Sequence, residues 1–292
     1  MADAPPATLP PTPSLAAAAA AERSGRRRER GRIVAWQLVL LLLFLAAWEG
    51  LTRIPWFVKN TFLDPFFISQ PSQVALKLWD WTFGAQAGFL WPHLVATVWA
   101  TFLGFVVGVG TGFAAGLILS QNQTLNRVLH PFIIATNSMP RVAFVPLITM
   151  IFGLGVLSKV VTAWFVVFFL VFFNAYKGAV SVEREMLDFC RTRGANGRQL
   201  TWSVRVPMAA AWTFASLPNA VSFSLIGVVI AEFVGANYGM GYLIIVSLAM
   251  LNAAEMFAAL TVLSAVGLGL VVLIGWVERK LLHWSPEFRN SV

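Results

Sequence analysis

Few side chains in this sequence could do acid–base or metal chemistry, and those few are widely spaced. The three histidines are His93, His130 and His283, and they match no metal-ligand spacing such as H-E-x-x-H. The only cysteine, Cys190, cannot form an internal disulfide. The sequence has no G-x-x-x-x-G-K-[ST] phosphate-binding loop. We therefore expect no catalytic residue, no metal and no cofactor in this chain, and any ATP hydrolysis must come from another polypeptide.

The densest group of charged side chains lies in a polar stretch between two long apolar runs. This stretch, EMLDFCRTRGANGRQLTWSVRVP, ends at Pro207, and we call residues 182–207 the island. Residues 182–193 have helix-forming composition, and Gly194 can adopt the left-handed conformation that ends a helix. A second short amphipathic helix is expected before Pro207 opens the next apolar run. Such a helix–turn–helix could fill a cleft on a soluble partner, or it could be a solvated connection.

A second group of polar residues lies within the apolar runs. Arg141 follows Pro140, and a charge at membrane depth usually faces a pathway or a partner. It could reach the membrane interface, pair with a carboxylate, or contact an anionic substrate. Most of the other polar side chains are expected to hydrogen-bond between helices, while a minority could line a path: Asn137, Ser138, Asn174, Asn219, Ser222, Ser224 and Glu232.

Glu232 opens the glycine-rich stretch EFVGANYGMGYLI. Its glycines permit a bent re-entrant loop, although a plain turn has the same composition. Glu232 could act there as a gate or as a salt-bridge residue.

The composition indicates that these residues are carried by a membrane protein. The chain has 292 residues, of which 58% are hydrophobic and 12% are charged, and its mean hydropathy is +0.73. A soluble domain would carry about 25% charged residues. The net charge of +8 does not indicate a nucleic-acid partner, because the basic residues are distributed between apolar runs. We therefore predict an all-α polytopic protein in contact with lipid.

Six apolar runs approach the roughly 20 residues that cross a bilayer as a helix. They are residues 33–51, 94–119, 128–152, 157–180, 208–233 and 256–277. The third run is the least regular, because it contains Pro140, Arg141 and Pro146.

The positions of the basic residues predict the orientation of the spans. Six arginines precede the first span: Arg23, Arg26, Arg27, Arg28, Arg30 and Arg32. Because Lys and Arg accumulate on the cytoplasmic side, the N-terminus is expected inside. With six spans the C-terminus and the island also lie inside, and the Lys- and Arg-free loop 235–255 lies outside. Four basic residues remain on the outer side, namely Arg53, Lys59, Lys77 and Lys159. The expected location is the bacterial inner membrane, with both termini cytoplasmic.

Four regions follow from this pattern. Residues 1–32 are expected to form a disordered basic tail. Residues 33–92 are expected to form a retained anchor helix and an interfacial linker on the outer face. Residues 93–284 would form the core permeation domain with the island, and residues 285–292 a C-terminal tail. In the second span, glycines recur every four residues at Gly104, Gly108, Gly112 and Gly116, which predicts close helix packing within the chain or between subunits.

The island resembles the EAA loop of binding-protein-dependent ABC importer permeases. Asp188, Phe189 and Cys190 stand at the E-A-A positions, Gly194 matches the family glycine, and VRVP matches the closing motif that ends at Pro207. The resemblance extends over most of the chain beyond the tail, including ISQPSQV and MPRVAFVPLITMIFGLGVLSKV. The stretch SLIGVVIAEFVGANYGMGYLI resembles the nitrate, sulfonate and taurine branch of the family.

This resemblance implies a transmembrane subunit that works as a homodimer around a translocation path. A separate ATPase, which binds ATP and Mg²⁺, would hold the island in a cleft on its cytoplasmic face, and a periplasmic binding protein would deliver the solute. The implied ATPase-coupling residues are Asp188, Arg191, Arg193, Gly194, Arg198 and Pro207.

Two alternatives to an importer subunit stay open on sequence grounds. An ion-coupled secondary transporter would favour several acids or histidines at membrane depth and an inverted repeat, and the sequence offers little beyond Glu232. A structural membrane scaffold would not require the island. Within the importer branch, the solute could be nitrate, a sulfonate, taurine, a pyrimidine precursor or an aromatic acid, and Arg141 favours an anion.

Overall fold

The computed structural model describes residues 15–61 and 63–281, and regular structure in this part is entirely helical. This confirms the all-α prediction. The chain divides into two compact units, Met1–Pro65 and Phe66–Val292. The first 14 residues and the predicted C-terminal tail, 285–292, lie outside the described part.

The helices carry the following bounds. They are α1 (Leu15–Leu51), α2 (Pro55–Asn60), α3 (Pro65–Ile68), α4 (Pro71–Thr82), α5 (Leu90–Gln121), α6 (Gln123–Ser138), α7 (Val145–Phe152), α8 (Val156–Val180), α9 (Arg184–Thr192), α10 (Gly197–Leu200), α11 (Val206–Val234), α12 (Met240–Ala249) and α13 (Ala253–Leu281). A 3₁₀ turn, Arg141–Phe144, joins α6 to α7, and a π-helical turn, Thr201–Arg205, joins α10 to α11.

The first unit consists mainly of α1. Its residues Arg28–Leu51 are long and apolar enough to cross a membrane, as predicted for the first span. The prediction of a disordered tail over residues 1–32 is wrong for residues 15–32, because α1 begins at Leu15. The run of alanines that follows Leu15 explains this early start, since alanine has the highest helix propensity.

In the second unit, α5 and α8 pack closely and run in the same direction. A Cβ atom added to Gly104 would lie 2.3 Å from the Cβ of Ala163, and one added to Gly116 would lie 2.9 Å from the Cβ of Ala175. Residues later in α5 contact residues later in α8, so the two helices are parallel. The four-residue glycine repeat therefore packs within the chain. Packing within the chain was one of the two predicted alternatives, and packing between subunits was the other.

The parallel arrangement means that the segment between α5 and α8 must return across the length of the bundle. A single helical span over residues 128–152 is wrong, because α6 ends at Ser138 and a 3₁₀ turn separates it from α7. Pro140 and Pro146 supply no backbone donor, which explains why one regular helix does not form here. The chain thus makes the return pass in broken helices, while five described helices are long enough to span a membrane.

The return of the chain through α11 defines the two ends of the bundle. Gly178 of α8 packs against Ala209 and Trp212 of α11, whereas Gly227 packs against Ala163. The two helices are therefore antiparallel. We call the end that carries residues 182–207 the island end and the opposite end, where α5 and α8 begin, the far end.

At the far end, α4 and α12 pack against the first turns of α5 and α13. The buried cluster there consists of Val74, Trp81, Leu90, Met240, Leu243, Ile244, Ala258 and Ala259. Lys77 of α4 also forms an ion pair of 2.7 Å with Glu255 of α13. The predicted domain boundary at residue 92 is therefore wrong, because α4 belongs to the bundle. The loop predicted over residues 235–255 contains a short helix, α12, so the glycine-rich stretch is not a plain turn.

Candidate functional site

The island has two arms, α9 before Gly194 and the helical segment that starts at Gly197 after it. The first arm ends at a turn formed by Gly194. Gly194 has a φ of +86°, a left-handed conformation that favours glycine. Its amide donates to the carbonyl of Arg191 at 2.9 Å, and the amide of Ala195 donates to the carbonyl of Cys190 at 3.0 Å. These bonds satisfy carbonyls that the end of α9 would otherwise leave open. The predicted helix and turn are confirmed.

The second arm begins with a capping box. The side chain of Asn196 accepts from the amide of Gln199 at 2.9 Å, and the Gln199 side chain accepts from the Asn196 amide at 2.9 Å. The predicted short helix is present as α10, and Pro207 lies in the first turn of α11 as predicted. The π turn joins α10 to α11, so helical structure runs from Gly197 to Val234 without a gap. The π turn accommodates the proline, and the amide of Val206 donates to the carbonyl of Thr201.

The charged side chains between Glu183 and Arg198 are exposed. Asp188 and Arg191 form an ion pair of 2.9 Å with both side chains more than half exposed. The guanidinium of Arg193 lies 5.2 Å from the centre of the Phe189 ring. Arg198 lies exposed in the last turn of α10. The six residues predicted to couple to an ATPase, including Gly194 and Pro207, are thus all exposed at the island end.

Large apolar side chains accompany these charges. Met186, Phe189 and Trp202 are 55%, 60% and 64% exposed. Leu200 of the second arm, by contrast, is buried. Exposed apolar groups beside charges, at a bundle end, are typical of a protein-binding surface.

Arg141 borders a cavity of about 340 Å³ between the 3₁₀ turn, α8 and α11. Its guanidinium carbon lies 5.4 Å from the centre of the Phe169 ring. The remaining lining is mainly apolar, with Val142, Val166 and Phe223 among its members. The cavity therefore combines one cation with an apolar wall, which suits an anion with an apolar body.

Of the other residues predicted to line a path, Ser138, Asn174, Ser222 and Glu232 do not line this cavity. Ser138, Asn174 and Ser222 donate to carbonyls of their own helices at 3.1, 2.8 and 3.1 Å. Their predicted bonds between helices are therefore wrong, whereas Ser224 does bond across helices, to the carbonyl of Thr101 at 2.8 Å. Asn219 is exposed, and the side chain of Asn137 lies outside the described part.

Glu232 lies at the far end in a buried polar cluster that sequence reasoning did not anticipate. The carboxylate has no exposed surface, and its Oε1 accepts from Lys159 Nζ at 3.0 Å. Thr97 Oγ1 lies 2.9 Å from the same oxygen, and the amide of Gly241 donates to Oε2 at 2.8 Å. Glu232 therefore forms a salt bridge inside the protomer and has no surface towards the Arg141 cavity.

The same cluster fixes the turn that precedes α12. The amide of Met240 donates to Thr97 Oγ1 at 2.8 Å, and the amide of Gly239 donates to His93 Nδ1 at 3.2 Å. Lys159 Nζ also donates to the carbonyl of Tyr238. At Gly239, a Cβ would lie 2.0 Å from Glu232 Oε1, so only glycine fits. Within the described residues, no group of three His, Cys, Asp or Glu side chains could hold a metal ion.

Comparison with known proteins gives one consistent result. The profile of the family described as "Binding-protein-dependent transport system inner membrane component" matches residues 104–283. The riboflavin transport permease RibX of Chloroflexus aurantiacus is 31% identical over 250 residues, which cover 86% of this chain and 89% of that protein. The taurine transport permease TauC of Escherichia coli is 26% identical over 229 residues, covering 77% and 82%.

The fold has a solved counterpart. An inward-facing structure of the MetNI methionine ABC transporter aligns with a TM-score of 0.57 at 18% identity, covering 68% of this chain and 97% of the matched chain. Permeases of this kind are non-catalytic subunits that work with a separate ATPase and a substrate-binding protein. The alternatives of an ion-coupled carrier and of a structural scaffold are therefore wrong. The chain belongs to the inner-membrane permease family of binding-protein-dependent ABC transporters.

Proposed function

We propose that this permease imports a small anionic solute as a homodimer, and that its island is the docking segment for the ATPase. In this arrangement the island end and both termini face the cytoplasm, and the far end faces the periplasmic binding protein. ATP and Mg²⁺ bind to the ATPase. The exposed, glycine-turned island with its paired charges is the observation that carries the proposal.

A helical connection would carry motion from the island into the bundle. The second arm continues through the π turn into α11, and we call this run of helix, Gly197–Val234, the rod. α11 packs against α8 through Gly178 and Gly227, which ties the rod to the helix that precedes the island. Displacement of the island by an ATPase would therefore move α8 and α11 together, and both of these helices contribute to the wall of the Arg141 cavity.

The solute is inferred from the cavity and from the relatives. Among the residues that the structure describes, Arg141 supplies the only charge in the lining of a cavity that is otherwise mainly apolar. Relatives transport riboflavin, formylaminopyrimidine, taurine or aliphatic sulfonates according to their names. A sulfonate-like anion agrees with both observations. On α7, which supplies Val145 to the cavity, Met150 is 81% exposed, and a second permease copy would cover such a surface and enclose the path.

Gly194→Val is expected to uncouple ATP hydrolysis from uptake. A β-branched side chain at a φ of +86° is strained, so the turn and the direction of the second arm would change. Nothing lies within 4 Å of the added Cβ, so the bundle itself should still fold. In proteoliposomes containing the full transporter, uptake per ATP hydrolysed should fall at least about tenfold, a change of about 1.4 kcal/mol.

Gly197→Val is the matched control, because Gly197 lies in the same island with open space around it and no positive φ. It should retain most of the coupled uptake. Unaltered coupled transport by Gly194→Val would contradict the assignment of the island.

Arg141→Gln is expected to impair transport of an anionic solute. A hydrogen bond to a charged group contributes about 1.5–3 kcal/mol, so the transport KM should rise roughly tenfold or more. Arg141→Lys retains the charge and should recover part of this loss. Uptake of a radiolabelled sulfonate and ATP hydrolysis would be measured in parallel. An unchanged KM in Arg141→Gln would exclude solute contact at this residue.

A further inference from the structure

A second cavity, at the island end, contains an unusual concentration of positive charge. It has a volume of about 310 Å³ and lies between α6, the end of α8, α9 and the π turn. Arg127, Arg184 and Arg205 line it, one from α6 and one from each arm of the island. No lining residue is acidic. It is separate from the Arg141 cavity and shares no residue with it.

These three arginines are not paired with a carboxylate in the described part of the chain. None of them forms a hydrogen bond or an ion pair there, whereas Arg191 on the same island is paired with Asp188 at 2.9 Å. Three guanidinium groups around one cavity repel one another. A phosphate group would relieve this repulsion, because arginine binds phosphate oxygens with paired N–H donors.

The surroundings of the cavity indicate that the phosphate belongs to a lipid. Val180, which lines the cavity at the end of α8, is 52% exposed, and Val128, next to Arg127, is 59% exposed. A ligand that places a phosphate among the arginines would thus have apolar surface beside it for a hydrocarbon chain. Basic pockets between transmembrane helices, near the cytoplasmic surface, bind anionic headgroups in this way.

One polar atom of the cavity narrows the choice of headgroup. Asn126 lines the cavity, and its Oδ1 is buried without a hydrogen-bond partner. A buried acceptor of this kind requires a donor. The glycerol hydroxyls of phosphatidylglycerol supply one, whereas the choline headgroup has no donor. We propose that this cavity binds the headgroup of phosphatidylglycerol and thereby ties both arms of the island and α6 to the membrane surface.

The test is lipid binding by the full chain in detergent, measured by native mass spectrometry during titration with phosphatidylglycerol. The triple variant R127Q/R184Q/R205Q should bind about a hundredfold more weakly, since each basic residue near an anionic surface contributes roughly fivefold. Phosphatidylcholine should bind weakly to both proteins. The single variant R127Q, on the exposed side of α6, should show a smaller loss and keeps the test valid if the triple variant does not fold.

The control is R191Q/R193Q/R198Q, which removes three charges from the same end of the bundle but leaves the cavity intact. It should bind phosphatidylglycerol like the unmodified chain. An equal loss in the control would show attraction to net charge alone and would overturn the proposal. Competition by inorganic phosphate at equal concentration would overturn the lipid assignment in favour of a free phosphate ion.

Discussion

Replacement of Lys159 by methionine is expected to cost about 3–5 kcal/mol of stability, the usual effect of removing one partner from a buried ion pair. The substitution leaves the Glu232 carboxylate without its cation at a position with no exposed surface. It also removes the donor to the carbonyl of Tyr238 and so loosens the turn before α12. The midpoint of thermal unfolding in detergent should fall by roughly 10 °C, since each kcal/mol shifts Tm by about 2–4 °C in a chain of this size.

Two further variants separate the buried charge from simple loss of contacts. The double variant Lys159→Met/Glu232→Gln removes both charges, while the glutamine amide can still bond to Thr97 and Gly241, so much of the stability should return. Lys77→Met breaks the more accessible pair with Glu255 and should cost less than about 1 kcal/mol. Equal losses from Lys159→Met and Lys77→Met would show that the buried cluster has no special role.

A second large effect is expected where α5 and α8 touch. A Cβ on Gly112 would lie 2.6 Å from the carbonyl oxygen of Phe168, which is backbone and cannot rotate away. Gly112→Val should therefore force the two helices apart. Overpacking of a core costs typically about 1–3 kcal/mol, and a backbone clash places this variant at the upper end or beyond.

Gly110 gives a control within the same helix. Nothing lies within 4 Å of a Cβ added there, so Gly110→Val should leave stability nearly unchanged. The yield of monodisperse protein in detergent and its melting temperature would be compared for both variants. If Gly112→Val and Gly110→Val behaved alike, the close packing of the glycine repeat would be contradicted.

The sequence predicted the long helices well because hydropathy determines them directly. The predicted start of the fourth span differs by one residue from that of α8, and the glycine repeat marked the face of α5 that packs. The third pass is not the single helix that was predicted. Its prolines indicate that a regular helix is interrupted, but they do not indicate where the chain changes direction. Only the parallel packing of α5 and α8 shows that this broken segment crosses the bundle.

The buried cluster around Glu232 could not be predicted from spacing. Lys159 lies 73 residues from Glu232 in sequence, and Thr97 lies 135 residues away. The predicted orientation of the spans places Lys159 on the outer side, where a lysine is usually exposed. One feature of the sequence did indicate the pair: Lys159 and Glu232 carry opposite charges and lie at the same predicted end of two neighbouring spans. The arginine cavity also depends on tertiary contacts, because Arg127 is distant in sequence from the island.

The proposed function requires that the island contacts a nucleotide-hydrolysing subunit on the cytoplasmic side. It is tested most directly by photo-crosslinking in intact cells, with benzoylphenylalanine at position 189, where Phe189 is 60% exposed. Leu248 at the far end, 52% exposed, is the control position. We expect an adduct from position 189 to a chain that contains a G-x-x-x-x-G-K-[ST] motif, and none from position 248. Labelling of a cysteine at position 189 by a membrane-impermeant reagent added outside, with no such adduct, would contradict it.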